Sequence, residues 1–412
     1  MKPLRVLFVT PYVPSSLRPR PYNFIRALAE RGNRISLLAL STSAREQADG
    51  SGLAQYCEQV RSVHVPWVRS VCNCLAGLPT QDPMQVCYCD SPAARRWLRM
   101  EVNGYDLLHV EHLRAARFGL DIGAVPRVFD AVDCISSLLA RAAGSATSLK
   151  ARIGARFDLK RTRVFESSLC RRFDRVLVSS ESDRQDLQAL ARSCRADEAA
   201  CRAPVSVVPH GVDVEHFHPS DRGREAATLV YVGRLSYHAN VAAVSWLLRE
   251  IMPSIWKRRP EARLLLVGAD PPRAIRSAAR RCGERVQVTG YVPDVRPYLA
   301  RATISVNPLV YAVGTQNKIL EAMAMAMPVV TTAAGAGSLG VRDREHLAVA
   351  SRVSEFADKV VTLLGDRAAQ TRLGQAAREY VVAHLDSRTI ARRLETIYDE
   401  AIAEFRRRAP VR

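Results

Sequence analysis

A chain of 412 residues with a hydrophobic share of 48% and a charged share of 25% has the material for two domains and an extensive core, which excludes a disordered or fibrous protein. No apolar run reaches the roughly 18 residues that span a bilayer. The sequence passes from Lys2 straight into RVLFVTPYV without the series of a signal peptide, so the cytoplasm is the expected location. The formal charge of +19 is spread over both halves. That argues against a single nucleic-acid patch and for anionic substrates or an anionic membrane surface.

The first third alternates strand and helix signals. RVLFVTPYV reads as a buried strand, Tyr22–Arg31 as an amphipathic helix closed by Gly32, and RISLLAL as a second strand. Further strands are predicted at QVRSVHVPWV, DLLHVEH, RVFDAV, RVLVSS and VSVVPHG. Cys72/Cys74 and Cys87/Cys89 are C-x-C pairs without the usual zinc-knuckle spacing, and they read as free thiols. The segment from Gly144 to Arg175 is the most basic. Its apolar residues interleave with Arg and Lys, as in an interfacial helix pair on anionic lipid or a solvated basic helix on the sheet.

The pattern restarts after the polar stretch PHGVDVEHFHPSDRGREAA. Strands are expected at LVYVG, ARLLLVG, RVQVTG, TISVNPL, MPVVTT and HLAVA, with helices at Ala239–Lys257, Gln316–Met325 and Arg388–Arg408. Strands separated by helices indicate α/β folding with parallel, doubly wound sheets. The expected division is a Rossmann-like domain over 1–208, a linker over 209–222, a second Rossmann-like domain over 223–386, and a helix over 387–412 that packs back on the first domain. Ligands of such sheets bind beyond the carboxyl ends of the strands.

Four constellations fall at expected strand ends. VGTQNKILEAMAMAMPVV, at 313–330, is a loop running into a helix. A helix start presents free N–H groups and a positive dipole end to an anion. Asn317, Lys318 and Glu321 share one face there, either to read a phosphate and a sugar hydroxyl together or as a surface ion pair. Arg234, in VGRLS, emerges from a strand with donors matched to phosphate. PHGVD precedes the second domain. His109, Glu111 and His112, in DLLHVEH, are either a catalytic group or satisfied structural residues. Asp130 and Asp133 fit acceptor hydroxyls or helix caps, and Arg18 and Arg20 an acceptor phosphate or solvent.

Together these motifs resemble a GT-B nucleotide-sugar glycosyltransferase close to family 4, and more closely the PEP-CTERM/exosortase-associated sugar transferase branch. PHGVD…F.P resembles the family's P-N-G-V-D hinge. VGRLS resembles G-R-L, and KILEAMAMAMPVV resembles E-A-M-A-x-G-x-P-V-V. The resemblance implies two domains facing a deep cleft and a retaining transfer from a nucleotide-diphosphate sugar to a glycan or lipid-linked acceptor. With no D-x-D pattern in the chain, it implies neither metal nor cofactor. It implies that Arg234, Gly314 and Thr315 meet the donor diphosphate, that Glu321 binds the ribose, and that Tyr291 and Val292 lie by the nucleobase.

Departures from the family pattern are as informative. The first Glu of E-x7-E falls on Val313, and the usual Lys after G-R-L-x-x-x falls on Ala239, beside Asn240. Compensation is the expectation, with Lys318 supplying the missing cation and Asn317 or Gln316 the sugar contact. Exopolysaccharide or cell-surface polysaccharide synthesis follows from the branch resemblance, with attachment to the inner membrane face through Lys150–Arg175 and the basic C-terminal helix. A degenerate GT-B scaffold and a GT-B epimerase are the alternatives.

Overall fold

A computed structural model describes residues 2–15, 18–43, 46, 51–145, 149–193, 203–220, 223–311, 314–337 and 339–408, with 141–145 and 149–156 as helical backbone only. The chain divides into two compact units, Met1–Pro209 with Ile390–Arg412, and His210–Thr389.

The first unit is built on a seven-stranded parallel sheet of order β3-β2-β1-β4-β5-β6-β7. Its strands are β1 Arg5–Thr10, β2 Arg34–Ser41, β3 Gln59–His64, β4 Leu107–Glu111, β5 Arg127–Val132, β6 Arg175–Val178 and β7 Val205–Val207. The central strands are covered on both faces and so read as unbroken apolar runs. β3 lies at the edge and carries the exposed Arg61 and His64, which discourages further pairing.

Two local readings are corrected here. The run QVRSVHVPWV is not one strand: it ends at His64, and a helix starts at Trp67 directly after Pro66. Alternation continued past the true end because Val65 is buried while Trp67 and Val68 are exposed on the new helix. Within the basic segment, Gly144 and Ser145 end the helix Ile135–Ser145, Leu149–Arg172 is a single helix that carries most of the charge, and Arg175 opens β6.

The final helix, Ser387–Arg408, belongs to the first unit from Ile390 onward. Its stripe of Ile390, Leu394, Ile397, Tyr398, Ala401 and Ile402 is buried with Phe8, Phe24 and Leu37. Arg31 holds Glu395 at 2.7 Å, and Arg175 holds Glu404 at 2.7 Å. The apolar face of this helix is therefore spent on the sheet.

The second unit carries a six-stranded parallel sheet of order β10-β9-β8-β11-β12-β13. Its strands are β8 Thr228–Val232, β9 Arg263–Val267, β10 Val286–Gly290, β11 Ile304–Asn307, β12 Val329–Thr331 and β13 Ala348–Val349. The helix expected over Ala239–Lys257 runs from His238 to Trp256 but widens to a π-turn over Leu247–Ile251. Pro253, which has no N–H to give the preceding turn, accounts for the widening. In both sheets the strand order reverses beside the first strand, between β1 and β4 and between β8 and β11. Such reversals leave an opening at the strands' carboxyl ends, where ligands bind.

Candidate functional site

In the second unit, the switch point is lined by residues from three segments. β8 ends at Val232 and turns through Gly233, whose φ of +151° favours glycine. The turn is pressed against the end of β9, since a Cβ on Gly268 would lie 1.9 Å from the Gly233 carbonyl oxygen. A Cβ on Gly233 would in turn stand 3.1 Å from Lys318 Nζ. The lysine ammonium thus lies directly under the turn that carries Arg234.

Lys318 comes from the helix Asn317–Ala324, which follows β11. Its Nζ donates to Asn240 Oδ1 at 2.6 Å and to Tyr231 Oη at 2.9 Å. Tyr231 Oη donates to the same Asn240 oxygen at 2.7 Å, while Asn240 Nδ2 donates to the Arg234 carbonyl at 2.8 Å. Loss of hydration pulls Lys318 down to about 7, with the charge of Glu321 opposing the shift. Burial likewise pushes Glu321 up to about 7 against the pull of Lys318. Among the described residues no side chain donates to the Glu321 carboxylate, so the surface ion pair weighed from the sequence is not what holds this lysine.

The other expected donor residues are distributed around this cluster. Arg234 is exposed and pairs with Asp270 at 3.1 Å. Gly314, at φ +65°, and Thr315 form the half-buried loop before the helix, and Gln316 is its cap position, with Nε2 on the Gly314 carbonyl at 3.2 Å. Asn317 opens the helix. Tyr291 is exposed and Val292 half-buried just past β10, two strands from β8. Val313 lies outside the described residues. Tyr231, Asn240 and Asp270 were not among the expected site residues. Tyr231 in particular reads as one more apolar core position, because its hydroxyl partner lies on a later helix.

In the first unit, Tyr12 Oη donates to Glu111 Oε1 at 2.8 Å, joining the ends of β1 and β4 across the switch point. Glu111 is 1% exposed, and its Oε2 has no hydrogen-bond partner among the described residues. Burial, reinforced by nearby Asp130, pushes its carboxyl up to about 8, so it is protonated near neutrality. Two strained residues shape this rim: His112 at φ 68° and Val132 at φ 67°. Positive φ in a β-branched residue is a true outlier, and such strain clusters at functional sites.

Several expected roles change here. Arg20 and Asp130 are buried and paired with each other by two hydrogen bonds of 2.8 and 2.9 Å, with a third from Arg20 to the Val208 carbonyl. They are not presented as acceptor contacts, because each neutralises the other inside the fold. His109 is fully buried, stacked on Phe8 with ring centroids 4.4 Å apart, and its Nδ1 shares a 2.7 Å hydrogen bond with Tyr398. Burial pulls it down to about 4, so it is neutral and structural. His112 accepts from the Arg114 N–H at 3.2 Å and caps a short helix. Asp133 is half-buried, accepts from Ser179 at 3.2 Å and is pushed by burial to about 6. Arg18 is exposed, pairs with Glu46 and lies 4.4 Å over the Tyr12 ring.

Comparison with known proteins accords with this geometry. Residues 21–216 match the family Glycosyltransferase Family 4, and residues 226–366 match Glycosyl transferases group 1. A D-inositol 3-phosphate glycosyltransferase of Kribbella flavida is 28% identical over 86% of this chain and 85% of its own. The fold is similar to a sucrose-phosphate synthase of Thermosynechococcus elongatus, with TM-score 0.69 at 19% identity over 97% of this chain and all of the other. It is also similar to Anabaena Alr3699/HepE in complex with UDP, with TM-score 0.67 at 15% identity over 96% of this chain and all of the other. The two domains have the GT-B fold, and the chain is a glycosyltransferase.

Proposed function

We propose that this glycosyltransferase moves a sugar from a nucleotide-diphosphate donor to a glycan or lipid-linked acceptor, with retention of anomeric configuration and without a divalent metal. The observation that carries the reading is the Lys318 ammonium held beneath Gly233 by Asn240 and Tyr231. It supplies a cation where the leaving diphosphate would develop charge, next to Arg234 and the start of the Asn317–Ala324 helix. Glu321, to which no side chain among the described residues donates, is suited to ribose hydroxyls. Asn317 and Gln316 are the proposed sugar contacts, Gly314 and Thr315 the backbone donors to phosphate, and Tyr291 with Val292 the nucleobase platform.

In the first domain the protonated Glu111 is the group proposed to orient an acceptor or donor oxygen through Oε2, which has no partner among the described residues. His109 stays in the packing of the sheet, and Tyr12, His112, Asp133 and Arg18 form the accessible rim. Leaving-group phosphate removes the acceptor proton in a front-side displacement. The branch resemblance supports a place in exopolysaccharide or cell-surface polysaccharide biosynthesis. The proposed setting is the cytoplasmic face of the membrane, with the exposed Lys160, Arg163, Arg171 and Arg172 of the basic strip toward anionic lipid. Among the described residues no helix is long and apolar enough to cross a membrane.

The test is thermal stabilisation of the whole chain by a panel of UDP- and GDP-sugars in the presence of EDTA, followed by NMR of the product anomer. Stabilisation by one donor, EDTA-resistant transfer and a retained anomer are expected. Failure of every nucleotide sugar to bind, with no effect of Glu321→Ala, would leave a scaffold. Interconversion of the donor sugar without acceptor would make it an epimerase.

A further inference from the structure

Two tyrosines and a histidine stand together in water where the order of the second unit's sheet reverses. Tyr237 and His238 follow β8, and Tyr311 follows β11. Tyr237 and Tyr311 are each 41% exposed, Val310 is 57% exposed, and His238 is exposed as well. The centroid of the His238 ring lies 4.3 Å from that of Tyr237 and 5.6 Å from that of Tyr311, on which it is stacked at 16°. His238 Nδ1 and Tyr311 Oη share a hydrogen bond of 2.8 Å. Single exposed aromatics are ordinary, but three joined rings left in water mark a binding surface.

The rings are fixed by backbone contacts on both sides. The Tyr237 N–H donates to the Arg234 carbonyl at 3.2 Å, the same carbonyl that Asn240 Nδ2 holds at 2.8 Å. The cluster is thereby tied to the asparagine that carries the Lys318 ammonium. Across the switch point, Thr332 Oγ1 donates to the Leu309 carbonyl at 2.7 Å and roots the loop that carries Tyr311. Burial, and next the nearby Tyr311, push the Tyr237 phenol above its ordinary value, so it stays a neutral donor.

Position decides what these rings meet. Tyr237 follows Arg234 by three residues, and Tyr311 precedes Gly314 by three. Each is thus rooted within roughly 11 Å of a proposed diphosphate contact. Tyr291, past β10, lies two strands to one side of β8, whereas Tyr311, past β11, lies one strand to the other. A nucleotide sugar laid from Tyr291 across the Arg234 and Lys318 cluster reaches the three rings with its sugar. A pyranose suits them, since its C–H groups form faces that favour the negative face of an aromatic ring.

We propose that Tyr237 and Tyr311 are the platform on which the donor hexose lies, with His238 as the positioning residue that holds the Tyr311 ring. The hydroxyls at the edge of the sugar are left to Asn317 and Gln316. The proposal rests on the donor reading above and assigns the place of the sugar within it.

The experiment is calorimetric titration of the full chain with UDP-glucose, UDP-galactose and GDP-mannose, each beside its bare nucleoside diphosphate. Tyr311→Ala is expected to lower nucleotide-sugar affinity about three- to tenfold, with nucleoside-diphosphate affinity and melting temperature unchanged. Tyr311→Phe keeps the ring and should keep most of the affinity. His238→Ala should show a smaller loss of the same selectivity, and no further loss when combined with Tyr311→Ala. An equal loss for the sugar and bare forms would make the rings a support for the phosphate loop or the base, and would overturn the proposal. So would unchanged binding in Tyr311→Ala, or a wild type that binds bare nucleotides alone. A wild type that binds no nucleotide in either form would defeat the donor reading itself, and the platform with it.

Discussion

Lys318 reaches Asn240 at 2.6 Å across 78 residues of sequence, and the same asparagine carries the Arg234 carbonyl on its amide nitrogen. One side chain therefore couples the two cationic segments of the second domain. Asn240 adjoins Ala239, where the resembling family has its own lysine. The ammonium arrives from a different helix and is held close to the missing position.

This coupling makes a graded prediction. Lys318→Ala should weaken donor binding by roughly 10–100-fold, the loss of one charge-assisted hydrogen bond to phosphate. Asn240→Ala should weaken it by only about three- to tenfold, since the ammonium remains but is less well held. Calorimetric titration with the donor identified by the stabilisation screen measures both, and equal affinity in all three proteins would contradict the arrangement.

The pH dependence of donor binding follows from the same lysine. Its ammonium is fully charged below about 7 and is lost as pH rises through that value. Affinity should therefore fall between neutral and mildly alkaline pH. Lys318→Arg, whose guanidinium stays charged, should flatten the profile even if its geometry weakens binding overall. Titrations across that pH range supply the comparison.

Glu111 makes a second pH prediction, this time for stability. Its carboxyl titrates near 8 in the folded protein, above the ordinary 4.5. Between those values the native state holds a proton that the unfolded chain has released. Its contribution is therefore complete below about 4.5 and is lost as pH rises through about 8, a change on the order of a few kcal/mol. Glu111→Gln mimics the protonated acid and should remove that part of the alkaline loss of melting temperature. It should also slow transfer if Oε2 orients a substrate oxygen.

The buried Arg20–Asp130 pair should behave structurally. Arg20→Ala leaves Asp130 charged, buried and unpaired, and should cost about 3–5 kcal/mol. Replacing both by apolar residues of similar volume should recover much of that loss. Thermal denaturation of the two variants tests the assignment, and an Arg20→Ala protein as stable as wild type would return this arginine to the substrate contacts.

The paired glycines separate packing from binding. A Cβ on Gly268 would collide with backbone at 1.9 Å, whereas one on Gly233 would meet the movable ends of Asn240 and Lys318 at 3.0 and 3.1 Å. Gly268→Ala should therefore destabilise by more than about 3 kcal/mol. Gly233→Ala, strained at φ +151° but free of a backbone collision, should destabilise less and should also lower donor affinity by displacing the ammonium. Melting curves with and without donor separate the two effects.

What the sequence determined by itself is the architecture. Strands covered on both faces must be apolar throughout, so runs such as RVLFVT and RLLLV announce a parallel sheet without reference to anything distant. The positions of Arg234 past a strand end and of Glu321 in the helix after β11 were legible for a similar reason, since strand ends and helix starts are local features. Orientation of side chains about a shared centre was not. His109 and Glu111 look alike in sequence, two residues apart on one strand. Tyr398, 289 residues later, claims the histidine for the core, while the glutamate keeps an oxygen without a partner among the described residues. Arg20 meets Asp130 over 110 residues. The helix after Pro66 shows its apolar face only because Asn73 and Cys74 find backbone partners from Met84 to Asp90. Burial and hydrogen-bond pairing depend on which distant segments the fold brings together, so tertiary structure alone decided them.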